Sequence, residues 1–212
     1  MLTARAEQFI KGLKRNDEWT CDRETAIKFM ESKGIPAFEP VVKFQTDYSG
    51  LYEFELFSKD MIAGKEELYN CWYEGNECEL LIGGSGGPFD YGINQKGEII
   101  SLQDGTVLYS SIEILFEQYV LEKELFKMPG YCSSAYNTVP DIEKAKTFLQ
   151  NDNFHIMNDC SDEYSMWFTR GNITIHCGMF AEGDSYFLKI YTCSKEICEE
   201  YVCRLENEKV ID

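Results

Sequence analysis

Apolar residues recur at helical spacing through the first fifty positions of the chain. The spacing predicts one helix over about 4–14 and a second over 22–33, which Gly34 ends. A third helix is expected to begin at Pro40, because proline suits the first turn of a helix, and to end before Gly50. The chain is therefore predicted to open with three short amphipathic helices.

The period changes to two from Leu51, where apolar and acidic residues alternate as in a strand with one wet face. Three more strands are predicted, over 79–82, 89–93 and 98–101. Residues 94–97 predict a hairpin between the last two. A capping box at Ser110 and Glu113 predicts a helix that reaches about Phe126. Together these elements predict an antiparallel or mixed sheet with flanking helices.

The second half of the chain begins with a segment that has no period. Residues 128–140 contain two prolines, one glycine and several small polar residues, which predicts a linker. Beyond it the pattern predicts a helix, four strands and a closing helix, over 141–150, 154–157, 164–169, 172–177, 186–192 and 194–205. We therefore expect an α+β chain with one domain over 1–127 and a smaller two-layer α+β domain over 141–212.

The excess of acidic over basic residues favours a basic protein as the partner. The 212 residues include 37 acidic and 20 basic side chains, which gives a formal net charge of −17. A field of this sign repels nucleic acid and anionic membrane surfaces and attracts a basic partner, although the same charge also serves solubility. We expect a protein partner, no nucleic acid and no membrane.

The compartment is predicted from the N-terminal residues and the cysteines. Charged side chains interrupt the N-terminus before an apolar run develops, and no stretch approaches the roughly 20 apolar residues of a membrane span. Nine cysteines at irregular spacing are unlike the even framework of a small secreted domain. We therefore expect a cytoplasmic protein whose thiols are reduced and mostly buried.

A glycine-rich run at 83–88 has the composition of a phosphate-binding loop, in which backbone amides approach an anion. The Lys-Ser or Lys-Thr pair of such loops does not follow it, and Asp90 adds negative charge where a phosphate needs positive charge. The run is therefore predicted to be a loop between strands.

Histidine chemistry has few candidate residues, since His155 and His176 are the only histidines. The strand pattern places His176 on a polar face, where a solvated side chain is expected. His176 and the adjacent Cys177 point to opposite faces of one strand, so a cysteine nucleophile would need His155.

Three cysteines near the end of the chain are spaced five residues apart, at Cys193, Cys198 and Cys203. Five residues turn a helix by about 140°, so Cys198 and Cys203 diverge, whereas zinc ligands are usually two to four residues apart. We predict ordinary thiols here. No catalytic residue, metal ligand or cofactor is predicted, and the chain is not expected to be an enzyme.

Several segments of the first half share the features of a known family. Residues 18–23, 30–40 and 48–51 combine a Trp and an Arg before a helix, a Gly-apolar-Pro turn and a Gly-Leu pair that enters a sheet. The region 82–99 and the segment 111–116 look like the central hairpin and the closing helix of the same family. Over residues 15–126 the chain resembles the SUKH (SMI1/KNR4-like) immunity superfamily; the part after residue 128 is not covered.

The resemblance implies a role without catalysis. Members of this superfamily are mostly bacterial immunity proteins that bind and neutralise a toxin domain, often a nuclease or a deaminase, and eukaryotic relatives are regulatory scaffolds. The implied function is stoichiometric occlusion of a basic toxin domain. The alternative is a regulatory scaffold that binds cellular proteins.

Acidic and aromatic residues cluster near the start of the predicted central sheet. The candidate partner-binding residues are Glu66, Glu67, Tyr69, Trp72, Tyr73, Glu74, Glu77, Glu79 and Asp90. Aromatic rings give an interface its buried contact area, and carboxylates steer a basic partner towards it. The alternative is that the rings belong to the core and the glutamates solvate its rim.

Overall fold

A computed structural model describes residues 2–52, 71–74, 77–83, 91–180 and 185–212, with the backbone alone given for residues 19, 52, 71–74 and 77–83. The helices are α1 (Ala4–Gly12), α2 (Arg23–Ser32), α3 (Glu39–Tyr48), α4 (Ile112–Leu125), α5 (Ile142–Asn151) and α6 (Lys195–Asn207). The strands are β1 (Lys14–Arg15), β2 (Leu51–Tyr52), β3 (Cys71–Glu74), β4 (Glu77–Gly83), β5 (Tyr91–Asn94), β6 (Ile99–Ser101), β7 (Val107–Tyr109), β8 (Cys132–Ser133), β9 (Asn137–Val139), β10 (His155–Ile156), β11 (Ser165–Arg170), β12 (Ile173–Met179) and β13 (Tyr186–Thr192). The predicted α+β class is confirmed.

Helices α2 and α3 begin and end close to the predicted signals, whereas α1 ends at Gly12 rather than at about residue 14. The Asp22 side chain accepts a hydrogen bond from the Thr25 amide, 2.8 Å away, and caps α2. Pro40 lies in the first turn of α3. Gly50 follows α3 with φ of +77°, and a Cβ there would lie 2.5 Å from the backbone oxygen of Asn16, so only glycine fits.

Five strands, β3 to β7, form an antiparallel sheet in chain order. The predicted hairpin between β5 and β6 is confirmed: the Asn94 side chain accepts hydrogen bonds from two turn amides, and Gly97 has φ of +88°. Ile93 and Ile99 pair across this hairpin and are buried. The alternation predicted from Leu51 continues beyond β2 into residues outside the described ranges.

The chain divides into two compact units of nearly equal length. The first is Ala6–Ile112, and the second joins Met1–Arg5 to Glu113–Asp212. These units differ from the predicted domains, because the prediction placed α4 in a first domain over 1–127. Almost all of α4 belongs to the second unit, so the two predicted domains are not separate stretches of sequence.

Helix α4 belongs to the second unit because its apolar residues pack on that unit's sheet. Leu121 and Leu125 form one buried cluster with Trp167 of β11 and Tyr191 of β13. Two residues near the N-terminus also contact α4: the Thr3 hydroxyl donates to Glu117, 2.8 Å away, and the guanidinium of Arg5, in the first turn of α1, lies 3.2 Å from the same carboxylate. Glu117 is only 2% exposed, and these contacts offset the cost of burying its charge.

The second unit has three layers rather than the predicted two. Its sheet runs β10-β11-β12-β13-β8, and β9 also pairs with β13. One face packs on α5 and α6. Ile175 and Leu188 of this face belong to the same buried cluster as Leu149 of α5 and Leu205 of α6. The other face packs on α4, which the sequence pattern had assigned elsewhere.

The segment predicted to be a linker, 128–140, forms part of this sheet. Strands β8 and β9 both pair with β13. Between them the Ser134 hydroxyl accepts a hydrogen bond from the Ile190 amide, 2.9 Å away. Strands of two and three residues are too short to show a period, which is why composition alone predicted a linker here.

Among the described residues, no helix combines the length and apolar character needed to cross a bilayer.

Candidate functional site

The predicted partner-binding residues centre on the β3–β4 hairpin, at one end of the described five-stranded sheet. The register pairs Trp72 with Glu79 and Glu74 with Glu77. Residues paired directly across two strands share a sheet face, as do residues two apart along one strand. These four positions therefore lie on one face, which we call the acidic hairpin face (Trp72, Glu74, Glu77 and Glu79).

Tyr73 occupies the opposite face of the hairpin. It pairs with Cys78, and its face also carries Leu80, which pairs with Ile93 of β5. Ile93 and its partner Ile99 are buried, and so is Ile100, which pairs with Gly92 on the other face, so both faces of the sheet are covered at β5 and β6. The register therefore separates Tyr73 from Trp72, and Trp72 is the aromatic residue of the acidic hairpin face.

The remaining predicted site residues, Glu66, Glu67, Tyr69 and Asp90, lie outside the described residues. The glycine-rich run is also outside them, apart from Gly83 at the end of β4. The acidic hairpin face is therefore the part of the predicted site that the structure brings together.

The acidic hairpin face continues onto β5, where Asn94 pairs with Glu79. The Asn94 amide donates to the Glu98 carboxylate over 2.7 Å, and the Lys96 ammonium lies 3.7 Å from the same carboxylate. Lys96 is therefore engaged by Glu98 at the neighbouring turn. The acidic hairpin face, as defined by strand register, consists of three glutamates and one tryptophan.

The acidic hairpin face is defined by strand register alone. Comparisons with protein-family models, with curated proteins and with solved structures found no match to this chain. The SUKH resemblance over residues 15–126 thus stays a prediction.

His176 is buried, and the prediction of a solvated side chain is wrong. It is 9% exposed, and its ring stacks on Trp167 with ring centroids 4.2 Å apart and meets Phe187 edge-on. The alternation correctly placed His176 opposite Ile175 and Cys177. A polar face is solvated only where nothing packs on it, and here α4 covers it.

The buried histidine belongs to a polar network with two residues distant in sequence. The Ser165 hydroxyl donates to the Gln118 side-chain oxygen over 2.9 Å and lies 2.7 Å from Nε2 of His176. Since the hydroxyl has one proton, which goes to Gln118, Nε2 of His176 carries a proton and donates to Ser165. The histidine therefore has no free lone pair directed at the serine.

This proton arrangement is the reverse of nucleophile activation, in which the imidazole accepts the serine proton. Burial and, to a smaller extent, the nearby Lys189 ammonium lower the pKa of His176 to about 3, so the ring is neutral at neutral pH. Ser165 and Gln118 are also buried. The network fixes α4 onto the sheet and gives no support to hydrolytic chemistry.

The surroundings of Cys177 and His155 do not favour a cysteine nucleophile either. Burial raises the pKa of the Cys177 thiol to about 12, which disfavours the thiolate. His155, the histidine that a cysteine nucleophile would need, is exposed on β10. Within the described ranges, no cluster of three acidic, cysteine or histidine side chains is arranged to hold a metal.

Sequence reasoning missed an exposed aromatic surface on the second unit. Tyr136 is 55% exposed, and its ring meets Phe187 edge-on with centroids 5.0 Å apart. The Lys189 ammonium lies 4.4 Å from the Tyr136 centroid and 3.7 Å from the Glu122 carboxylate. Tyr136 lies in the segment predicted to be a linker, so no pattern pointed to it.

Proposed function

We propose that this chain is a protein-binding module that neutralises a basic toxin domain by stoichiometric occlusion, as SUKH-like immunity proteins do. The observation that carries the proposal is the acidic hairpin face, which groups one tryptophan with three glutamates at adjacent register positions. Tryptophan is a preferred anchor at protein interfaces, and carboxylates complement a basic surface. The proposed partner is therefore a basic nuclease or deaminase domain.

The proposed mechanism needs no turnover. A net charge of −17 attracts a cationic domain over several ångströms and raises the association rate. Desolvated aromatic contacts at Trp72 then slow dissociation. The partner's active surface is blocked for as long as the complex persists, and one chain inactivates one toxin domain.

Capture followed by inhibition tests the proposal. The full chain, used as bait at moderate salt in lysate of the organism that encodes it, should retain a small basic domain. The purified domain should lose its nuclease or deaminase activity when the chain reaches equimolar concentration. Housekeeping or signalling proteins in its place would favour the regulatory scaffold, and the absence of a bound protein would contradict both.

A pair of charge-matched variants tests the site. Glu77→Lys should weaken inhibition by tenfold or more, because it places a cation on a face that meets a basic surface. Glu31→Lys changes net charge by the same amount at an exposed position of α2 and should weaken inhibition much less. Equal losses in the two variants would show that net charge acts without the acidic hairpin face.

A further inference from the structure

Two thiols from distant parts of the sequence meet at the edge of the second sheet. Cys132 lies in β8 and pairs with Thr192 of β13. Ser194 caps α6 directly after β13, so Cys198 in the first turn of α6 lies beside β8. Helix α6 contacts β8, and Cys132 packs against the apolar cluster that contains Cys198. The Cys132 thiol is near enough to contribute to the raised pKa of Cys198.

The two thiols differ in access. Cys132 is half-buried, and its strand β8 lies at one edge of the described sheet. Cys198 is 4% exposed. Burial raises the pKa of the Cys198 thiol to about 11, and the adjacent Cys132 contributes to the rise. A reagent from solvent therefore meets Cys132 first.

We propose that Cys132 and Cys198 form a reversible dithiol–disulfide site that reacts with small disulfides, of which oxidised glutathione is the test compound. The Cys132 thiolate attacks one sulfur of the small disulfide, and the first small thiolate leaves and takes up the proton that Cys132 lost. Cys198 then attacks the Cys132 sulfur, and the second small thiolate leaves with the Cys198 proton. Two protein thiols are oxidised, and one small disulfide is reduced to two thiols.

The first step prepares the second. Once Cys132 is in a mixed disulfide, it no longer raises the pKa of Cys198 through its thiol, so a larger fraction of Cys198 can react. Packing also holds Cys198 against β8, which keeps the attacking sulfur close to its target. Because α6 and β8 are in contact, side-chain rotation can bring the two sulfurs to disulfide geometry.

Three other described thiols differ from this pair. The Cys193 sulfur accepts a hydrogen bond from the Asn172 amide over 3.1 Å. Cys203 is exposed. Cys160 is buried, and its thiol has a pKa raised to about 12 by that burial. Cys203 is therefore the matched control, being on the same helix as Cys198 but open to solvent.

The experiment uses the full chain and oxidised glutathione at slightly alkaline pH. Remaining thiols are then alkylated, and the protein is digested and analysed by mass spectrometry. We expect a peptide pair that joins Cys132 to Cys198, a protein mass lower by two hydrogen atoms, and reversal by dithiothreitol. The cross-link should raise the unfolding temperature by roughly 5 °C, because it constrains the unfolded chain.

Single-residue variants separate the two steps. Cys198→Ala should stop with one glutathione attached to Cys132, and Cys132→Ser should leave Cys198 unmodified. Cys203→Ser should form the cross-link as the parent chain does. Glutathione that accumulates on Cys132 of the parent chain without a cross-link, or a cross-link from Cys132 to Cys193, would overturn the proposal; circular dichroism checks that each variant is folded.

Discussion

At the scale of single residues, His176 makes the stability of the chain depend on pH. Its pKa in the folded chain is about 3, against an ordinary value of 6.5. Above pH 6.5 the ring is neutral in both states and its contribution is complete. As the pH falls from 6.5 towards 3, the unfolded state gains a proton that the folded state does not. The free energy of unfolding should therefore fall by about 1.4 kcal/mol per pH unit in this window, as urea denaturation at a series of pH values would measure.

Two variants isolate the histidine from other titrating groups. His176→Gln should flatten the pH dependence by the equivalent of one proton, whatever its effect on stability at pH 7. His155→Gln, at an exposed position, should keep the slope of the parent chain. A slope unchanged by His176→Gln would mean that carboxylates alone produce the acid sensitivity.

Asp152 is a second residue whose contribution can be measured. Its carboxylate accepts hydrogen bonds from Arg170 over 2.6 Å, from Arg204 over 2.8 Å and from the Tyr201 hydroxyl. Burial alone would raise the pKa of Asp152, but hydrogen bonds from Arg204 and Tyr201 hold it below its ordinary value.

Asp152→Asn should lower the free energy of unfolding by about 2 kcal/mol, because two guanidinium groups lose their shared counter-charge. Urea denaturation at pH 7 measures the change. Glu143→Gln is the control, since the 75% exposed Glu143 makes only a surface ion pair with Lys146 and should cost less than about 0.5 kcal/mol. Similar losses in both variants would contradict a special role for Asp152.

The candidate site was predictable from sequence in part. The sequence predicted a strand over 79–82 that carries Glu79, and β3–β4 pairing in the structure then placed Trp72 and Glu79 on one face. The burial of His176 was not predictable, because it depends on α4, which is distant in sequence and covers a face of mixed polarity. Local pattern determines which face a residue occupies, whereas tertiary packing determines whether that face meets water.

At the scale of elements, helix ends were the most predictable feature. Asp22, Asp141 and Ser194 each accept a hydrogen bond from an amide of the first helical turn, a local interaction that sequence can show. Strands β8 and β9 were missed because two or three residues carry no period and depend on β13 for their pairing. The hairpin at Asn94 was found because its turn chemistry is local as well.

The cap of α5 gives a test at this scale. The Asp141 carboxylate accepts hydrogen bonds from the amides of Glu143 and Lys144, both over 3.0 Å. Asp141→Ala should lower the free energy of unfolding by about 1 kcal/mol, and Asp141→Asn, which keeps an acceptor oxygen, should cost far less. Thermal denaturation of both variants measures the difference; equal losses would indicate that the side-chain charge matters more than the cap.

At the scale of the whole molecule, the net charge of −17 predicts how the proposed complex responds to salt. The association rate with a basic toxin domain should fall by about tenfold or more between low and high salt, because screening weakens long-range attraction. The dissociation rate should change little with salt and should rise in Trp72→Ala. Surface plasmon resonance measures both rates, and an association rate independent of salt would remove the electrostatic part of the mechanism.

Because Thr3 and Arg5 contact Glu117, the second unit combines residues that are made at the start of translation with residues that are made late. The ribosome releases residues 2–5 first, then the whole first unit, and only later the helix that these residues hold. The second unit therefore waits for its remaining part while the first unit folds in between. A fragment that begins at residue 113 would lack Thr3 and Arg5, the partners of the buried Glu117 carboxylate. It should therefore be less stable than its near-complete sheet suggests.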